Sequence, residues 1–137
     1  MIAQAKAAEA HGFDRVLLMD HLYQTPGVGN PDDYVLECYT TLAALAQHTD
    51  TVRLSALVTS NTFRNPAVLA KMLTTLDLVS NGRASLGIGA GWFEPEHEGY
   101  GIPFDTFSER FSKLEEALSI IVPMLRGERP TVAGKHY

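Results

Sequence analysis

An alternation of helix-like and strand-like segments is the feature of this sequence that most restricts its fold. The helix-like segments carry apolar residues three and four positions apart, whereas the strand-like segments are short apolar runs or strict alternations. Along the 137 residues the order is helix, strand, helix, strand, helix, strand, helix. This order is typical of βαβ units, in which helices connect parallel strands. The sequence therefore predicts an α/β fold with a parallel sheet.

Three strands are predicted, near residues 14–20, 52–59 and 84–90. The first contains the continuous apolar run at 16–19, which is typical of a strand buried on both faces. The other two alternate apolar and polar residues. Because βαβ connections are short and right-handed, we expect the three strands to lie side by side in sequence order.

Helix-start signals precede three of the helical segments. Asp32 or Asp33 can cap a helix whose apolar stripe begins at Val35, and Asn65 stands before a proline at the first helical position of the next. A capping box at 106–109 predicts the start of a long last helix. Residues 92–105 are expected to be irregular, and the tail at 131–137 is expected to form a weak β-hairpin.

The number of segments suits part of a barrel better than a complete sheet. A (β/α)₈ barrel needs roughly 250 residues, about twice the length of this chain. The order starts with a helix that no strand precedes and stops after the tail hairpin. We therefore expect residues 1–137 to form a single domain that is an internal slice of a (β/α)₈ TIM barrel.

Composition excludes several classes of protein. The net charge is −5 with both signs interspersed, so the sequence lacks the basic footprint of nucleic-acid or anionic-membrane binding. Its apolar runs are too short to cross a bilayer, and its first residues lack a secretory signal pattern. Cys38, the only cysteine, is expected in the core and excludes an internal disulfide. We expect a cytoplasmic protein.

Candidate functional residues follow the three predicted strands, because parallel α/β folds gather function at the carboxyl ends of strands. Asp20 and His21 end the first strand, the segment 59–64 ends the second, and the glycine-rich segment 87–92 ends the third. His21 is a candidate proton donor or cofactor contact, since imidazole is the side chain whose ordinary pKa lies nearest neutrality. The alternative is a capping Asp20 beside a loop histidine.

The glycine-rich segment allows two interpretations. Glycines at 87, 89 and 91 lie on one face of a strand, where missing side chains leave room for a flat ligand or for close packing. Trp92 stands where the last glycine of a dinucleotide-binding motif would be, so that motif is incomplete. Trp92 can stack on an aromatic cofactor or belong to the core. The acidic segment 94–98 is expected to be a solvated turn.

Taken together, these segments resemble the luciferase-like monooxygenase superfamily, particularly its FMN-dependent members and those that use the deazaflavin coenzyme F420. The resemblance rests on an ordered set of matching segments: AEAHGFD at 8–14, MDHL at 19–22, VTSNTFRNPA at 58–67, LVSNGR at 78–83, LGIGAGW at 86–92 and HEGYGIPF at 97–104. It implies a barrel that holds a flavin or deazaflavin ring at its carboxyl-terminal mouth. It also implies an oxidoreductase that transfers a hydride between the reduced cofactor and a small organic substrate.

The resemblance assigns a role to individual residues. It places Asp20 and His21 near the ring, with His21 polarising or protonating the substrate. It implies a cis peptide near Leu57 and Val58, behind the ring. Contacts to the ring or its side chain are expected from six further residues: Ser60, Asn61, Gly89, Ala90, Gly91 and Trp92.

Compared with that superfamily, the first strand and the second half of the barrel are missing. An open half-barrel exposes unpaired strand edges, so we expect association with a second copy or with a complementary half. Two alternatives stay open at this point. One is a non-catalytic remnant or split subunit that works only by pairing with another chain, and the other is a metal-dependent hydrolase using Asp20, His21 and His97.

Overall fold

The structure, a computed structural model, describes all residues from 1 to 137. Five helices and five short strands follow one another along the chain. The helices are α1 (Ile2–Ala10), α2 (Cys38–Ala46), α3 (Pro66–Val79), α4 (Glu94–Tyr100) and α5 (Phe107–Leu125). The strands are β1 (Arg15–Leu18), β2 (Arg53–Ala56), β3 (Thr59–Ser60), β4 (Ala84–Ser85) and β5 (Ile88–Gly89). No helix is both long enough and apolar enough to cross a membrane.

The chain divides into two compact units. The first unit contains Met1–Thr59 and Leu73–Gly87, and the second contains Ser60–Met72 and Ile88–Tyr137. The expectation of one domain over residues 1–137 stays a prediction.

The first unit is built on a three-stranded parallel sheet with the order β1-β2-β4. Arg15 lies opposite Arg53, and Leu54 lies opposite Ala84. The predicted parallel neighbours in sequence order are therefore confirmed. Both Leu54 and Cys38 are completely or almost completely buried, which confirms the core position expected for the cysteine.

The second and third predicted strands are each interrupted, which corrects their expected lengths. Residues 52–59 form β2 and β3, residues 84–90 form β4 and β5, and β3 pairs with β5 in a separate two-stranded sheet.

The interruption in the second strand follows from a change of hydrogen-bonding partner. The Leu57 N–H donates to Leu18 O at 2.7 Å, whereas the Thr59 N–H donates to Gly87 O at 2.8 Å. The peptide between Leu57 and Val58 is cis, as the resemblance implied. Residues an even number of positions apart in a strand donate to the same side, as Arg53 and Leu57 do toward Asp14 and Leu18, so the reversal at Thr59 interrupts the ladder.

Two of the predicted helix starts are confirmed. The Asn65 side chain accepts a hydrogen bond from the Ala67 N–H at 2.9 Å, directly before α3. Thr106 accepts from the Glu109 N–H at 3.3 Å, which is the N-cap bond of the expected capping box of α5, and the Thr106 hydroxyl donates to the Glu109 carboxylate at 3.2 Å.

The predicted start of α2 is wrong. The helix begins at Cys38, and the Glu37 carboxylate caps it by accepting from the Thr40 N–H at 2.6 Å. Asp33 instead accepts from the Asn30 N–H at 2.9 Å within the preceding loop. The Asp33 carboxylate therefore stabilises a turn of this loop and does not cap α2.

Residues 92–105 were expected to be irregular but contain α4. Pro95 lies in its first turn, where the missing N–H costs no intrahelical bond, and Gly101 ends the helix with a φ of 66°. Both are recognised boundary signals.

The tail at 131–137 forms no strand, so the predicted hairpin is wrong. The N–H groups of Lys135, His136 and Tyr137 all donate to the Glu116 carboxylate, at 2.8–3.2 Å. These bonds, that of His136 first, hold the pKa of Glu116 below its ordinary value. A side chain of α5 therefore takes the place of a partner strand.

A buried arginine connects four segments of the first unit. The five N–H donors of the Arg83 guanidinium bind Ser80 O, both the hydroxyl and the carbonyl of Thr49, Val52 O and Ala46 O, at 2.7–2.9 Å. No acceptor is a carboxylate, so carbonyl and hydroxyl dipoles alone stabilise the charge. The guanidinium thereby ties the carboxyl ends of two helices to the start of β2.

We expect Arg83→Lys to lower the free energy of unfolding by about 2–5 kcal/mol. An ammonium group has three donors, so at least two buried acceptors lose their partner, at about 1–3 kcal/mol each. Urea unfolding measures the change, with the exposed Arg53→Lys on β2 as the matched control, expected within about 0.5 kcal/mol of the parent. Equal effects of the two substitutions would contradict the role assigned to Arg83.

Glu9 holds the chain segment that enters β2. Its carboxylate accepts from the backbone N–H groups of Asp50, Thr51 and Val52 at 2.5–3.1 Å. The bonds from Thr51 and Val52 are the main reason that the pKa of Glu9 falls to about 2. The last turn of α1 is thereby attached to residues 50–52.

Because the pKa of Glu9 is lowered by folding, its stabilising contribution is complete above the ordinary value of 4.5 and is lost as the pH falls toward about 2. Glu9→Gln carries no charge to titrate. We expect the stability difference between parent and variant to shrink as the pH falls from 4.5 to 2, measured by urea midpoints. Glu115→Gln, an exposed glutamate of α5, is the control, and a difference that stays constant with pH would refute the assignment.

Candidate functional site

The residues predicted for the site divide between the two units. The first unit contains Asp20, His21, Leu57 and Val58. The other six lie in the second unit: Ser60, Asn61, Gly89, Ala90, Gly91 and Trp92.

Asp20 and His21 lie just beyond β1, which ends at Leu18. The strand alternation that sends neighbouring side chains to opposite faces therefore does not apply to them. Asp20 is buried, with 3% of its surface exposed, and His21 is half-buried. The pair is positioned as a fixed carboxylate next to an imidazole that solvent can reach in part.

Leu57 and Val58 expose 62% and 43% of their surface, which is unusual for apolar residues directly after a core strand. Gly87 approaches the same segment so closely that a Cβ there would lie 2.7 Å from Ala56 O. The end of this strand therefore combines tight backbone contact with an exposed apolar surface. A flat apolar ring is one kind of group that can cover such a surface.

In the second unit, three side chains form a chain of hydrogen bonds. Ser60 Oγ lies 2.8 Å from Thr62 Oγ1, and Thr62 Oγ1 lies 2.7 Å from His97 Nε2. The other ring nitrogen of His97, Nδ1, lies 2.8 Å from Phe93 O. From sequence, Ser60 was assigned to the cofactor site. Thr62 was named only within the candidate segment 59–64, and His97 only as a ligand in the metal-hydrolase alternative.

His97 is completely buried and Glu96 is 1% exposed, so the expectation of a solvated acidic turn is wrong for these two residues. The His97 ring packs against the rings of Phe63 and Phe104, with centroid distances of 5.1 and 4.7 Å. The charged residues of the segment 94–98 do not reveal the burial of His97, because this burial depends on aromatic residues outside the segment.

Gly91 makes the contact with the hydroxyl pair possible. Its φ is 81°, and a Cβ would lie 2.9 Å from both Ser60 Oγ and Thr62 Oγ1. Any side chain at this position would displace one of the two hydroxyls. The glycine-rich segment thus leaves room for polar groups as well as for backbone.

Two neighbours in that segment differ in exposure. Ala90 exposes 9% of its surface, whereas Trp92 exposes 62%. The Trp92 ring lies tilted beside the Phe93 ring, at a centroid distance of 5.2 Å. Trp92 is therefore not a core residue in this chain, which removes one of its two interpretations.

The side chain of Asn61 contains a buried oxygen atom, Oδ1, that lacks a hydrogen-bond partner in the protein. The backbone N–H of Asn61 donates to Gly89 O at 2.9 Å, and its side-chain Nδ2 donates to Tyr137 Oη at 3.4 Å. Burial raises the pKa of the Tyr137 phenol, which therefore keeps its proton. A buried acceptor without a donor is the kind of group that a ligand satisfies.

A polar cavity of about 380 Å³ borders Thr62 and Tyr137. Arg64, Lys113 and His136 also line it. Lys113 forms an ion pair with Asp105, and the hydrogen bond from Lys113 holds the pKa of that carboxyl below its ordinary value. One of the lining cations is thus already neutralised.

The metal-hydrolase alternative has no donor set. No group of three or more histidine, cysteine, aspartate or glutamate side chains comes together in a way that could hold a metal ion. The proposed ligands Asp20, His21 and His97 do not form such a group.

Comparison with known proteins supplies the family. The luciferase-like monooxygenase family matches the chain over residues 1–137. An F420-dependent glucose-6-phosphate dehydrogenase from Beutenbergia cavernae is 34% identical over 139 aligned residues, covering 100% of this chain and 40% of that protein.

Two solved structures show the same fold. An F420-dependent secondary alcohol dehydrogenase, in complex with an F420-acetone adduct, superposes with a TM-score of 0.83 at 26% identity, over 99% of this chain and 41% of that one. The oxygenating constituent of the 3,6-diketocamphane monooxygenase of Pseudomonas putida, in complex with FMN, superposes with a TM-score of 0.79 at 26% identity, over 99% of this chain and 36% of that one.

This chain belongs to the luciferase-like monooxygenase family. Its α/β architecture is part of a (β/α)₈ barrel, which confirms the fold class predicted from sequence. The chain spans about 40% of the length of the curated relatives that it matches. Oxidoreductases that use F420 or FMN are its homologues.

Proposed function

We propose that this chain contributes part of the cofactor and catalytic site of an oxidoreductase that uses coenzyme F420 or FMN. In this proposal a hydride passes between the reduced cofactor and a small organic substrate. The observation that carries the proposal is the buried, unpartnered Oδ1 of Asn61, which lies directly after β3, the strand that pairs with the glycine-containing β5.

The residues present fit a planar, hydrogen-bonding ring. Asn61 Oδ1 needs a donor, and Gly91 leaves space beside two hydroxyls where a Cβ does not fit. In the first unit, Leu57 and Val58 expose apolar surface. A flavin or deazaflavin has an apolar face and a polar edge with an N–H donor, so each unit by itself offers a surface of a kind that such a ring contacts.

A bound flavin or deazaflavin supplies two-electron oxidation or reduction. The side chains of the protein bind the ring and handle protons. His21, half-buried beyond β1, holds or donates a proton, and the buried Asp20 fixes the local turn. Trp92 offers an exposed aromatic face for stacking.

The second candidate is a non-catalytic half-barrel or a split subunit that works only with another chain. Association with a second copy or a complementary half stays a prediction, as does a cytoplasmic location. One face of α5 supports association, since it exposes a row of large apolar side chains: Phe107, Phe111, Leu118, Val122 and Leu125.

We expect the 137-residue chain to bind FMN or F420 only weakly, because the contacts that the remaining length of its relatives would make are not present. Fluorescence and NMR titrations with each cofactor measure this binding. Asn61→Leu removes the unpartnered acceptor and should weaken the binding further. Gln4→Leu, an exposed amide on α1, is the matched control. Equal binding by parent and Asn61→Leu would contradict the part assigned to Asn61.

The catalytic role of His21 is testable in a chimeric barrel, in which these residues replace the matching segment of the Beutenbergia enzyme. We expect His21→Ala to lower turnover by roughly 10²–10⁴-fold, the usual loss for a general acid or base. Cofactor affinity should change much less. The exposed His48→Ala is the control. If turnover stays within a few-fold of the parent, His21 is not catalytic and Trp92 or Asn61 becomes the candidate.

A further inference from the structure

We infer that His97 and Thr62 are positioning residues that make the Ser60 hydroxyl a hydrogen-bond acceptor toward a bound ring. The inference rests on the proposed function in one respect, namely that Ser60 contacts the cofactor. Its other steps follow from the hydrogen-bond chain of the second unit.

The first step concerns the tautomer of His97. Its Nδ1 lies 2.8 Å from Phe93 O, and a carbonyl oxygen can only accept a hydrogen bond. Nδ1 therefore carries a proton and donates it. This proton fixes which ring nitrogen remains to interact with Thr62.

The second step concerns the charge of the ring. His97 is completely buried, and its contacts are one hydroxyl, one carbonyl and the rings of Phe63 and Phe104. Burying a cation without an anionic partner is costly, so the ring is neutral. Neutral imidazole with a protonated Nδ1 has an unprotonated Nε2, which accepts the hydrogen bond from Thr62.

The third step derives the direction of the hydrogen bond between Ser60 and Thr62 from that of the bond between Thr62 and His97. Thr62 has a single hydroxyl proton, and Nε2 of His97 takes it. The 2.8 Å contact between Ser60 and Thr62 then has Ser60 as its donor. Since the proton of Ser60 points at Thr62, any further partner of Ser60 Oγ must donate to it.

The fourth step identifies what such an acceptor recognises. Flavins and deazaflavins share a pyrimidinedione edge in which an N–H group stands between two carbonyls. An acceptor-only hydroxyl selects the N–H and disfavours the carbonyls, because oxygen lone pairs repel one another. Gly91 preserves the arrangement, since a Cβ there would lie 2.9 Å from both hydroxyl oxygens. The hydroxyl chain thereby orients the ring.

The test begins with ¹⁵N NMR of the histidine rings in the 137-residue chain. We expect His97 with a protonated Nδ1 and an unprotonated Nε2. Thr62→Val, which keeps the shape but not the hydroxyl, should move the Nε2 resonance toward that of an unbonded nitrogen, and Thr62→Ser should restore it. A protonated Nε2 in the parent overturns the inference. Thr62 is chosen because it is only half-buried, whereas truncating His97 would leave a cavity.

The second measurement is a double-mutant cycle on binding of FMN and of F420, followed by NMR titration. Thr62→Val should weaken binding by about 3- to 10-fold, the effect of one neutral hydrogen bond, while Thr62→Ser stays near the parent. In a Ser60→Ala background, Thr62→Val should have no further effect. A loss that persists in that background means that Thr62 does not act through Ser60, and it overturns the inference.

The two measurements separate this inference from the proposed function. If neither cofactor binds the parent chain, the proposed function of the chain fails, and with it the assignment of Ser60 to a ring. The NMR result still decides whether His97 sets the direction of the hydroxyl chain. A confirmed tautomer with no binding thus refutes the first proposal and leaves the hydrogen-bond direction established.

Discussion

The first unit depends on one interaction, the coordination of the buried Arg83 guanidinium by carbonyl and hydroxyl oxygens. All five of its donors are satisfied, and the acceptors come from the ends of α2 and α3, from Thr49 and from the start of β2. Two helices and a central strand are thereby held at the end of the sheet opposite to Asp20, His21, Leu57 and Val58, the predicted functional residues of the same unit. A lysine has the same charge, but its three donors cannot satisfy these acceptors. The geometry of the group therefore matters more than its charge.

At the other end of β2 the backbone changes partners, and this change creates the features on which the proposed function rests. Between Leu57 and Thr59, hydrogen bonding moves from Leu18 to Gly87, and two apolar side chains become exposed. In the second unit, Ser60 and Asn61 follow directly, one in a hydroxyl chain and the other with an unpartnered oxygen. An uninterrupted strand would have alternated the side chains of residues 57–61 between two faces.

Local chemistry explains which predictions succeeded. The caps at Asn65 and Thr106 form as expected, because the helix start brings the N-cap side chain close to the N–H groups two or three residues later. The parallel strand order follows from short connections. Two failures involve partners outside the segment concerned: the tail binds Glu116 in place of a second strand, and His97 is buried by Phe63 and Phe104. No spacing within the tail or the acidic segment contains that information. A third failure is local, since Glu37 rather than Asp32 or Asp33 caps α2.

By itself, the sequence determined the α/β class, the parallel strands, the barrel family and the segments in which functional residues are sought. These properties depend on periodicity and on short motifs, which neighbouring residues define. Only the tertiary structure decided where β2 ends, that Trp92 is exposed, and that Ser60, Thr62 and His97 form one chain of hydrogen bonds. The direction of that chain depends on a single carbonyl, Phe93 O, being within reach of a buried ring nitrogen, and such a distance exists only after folding.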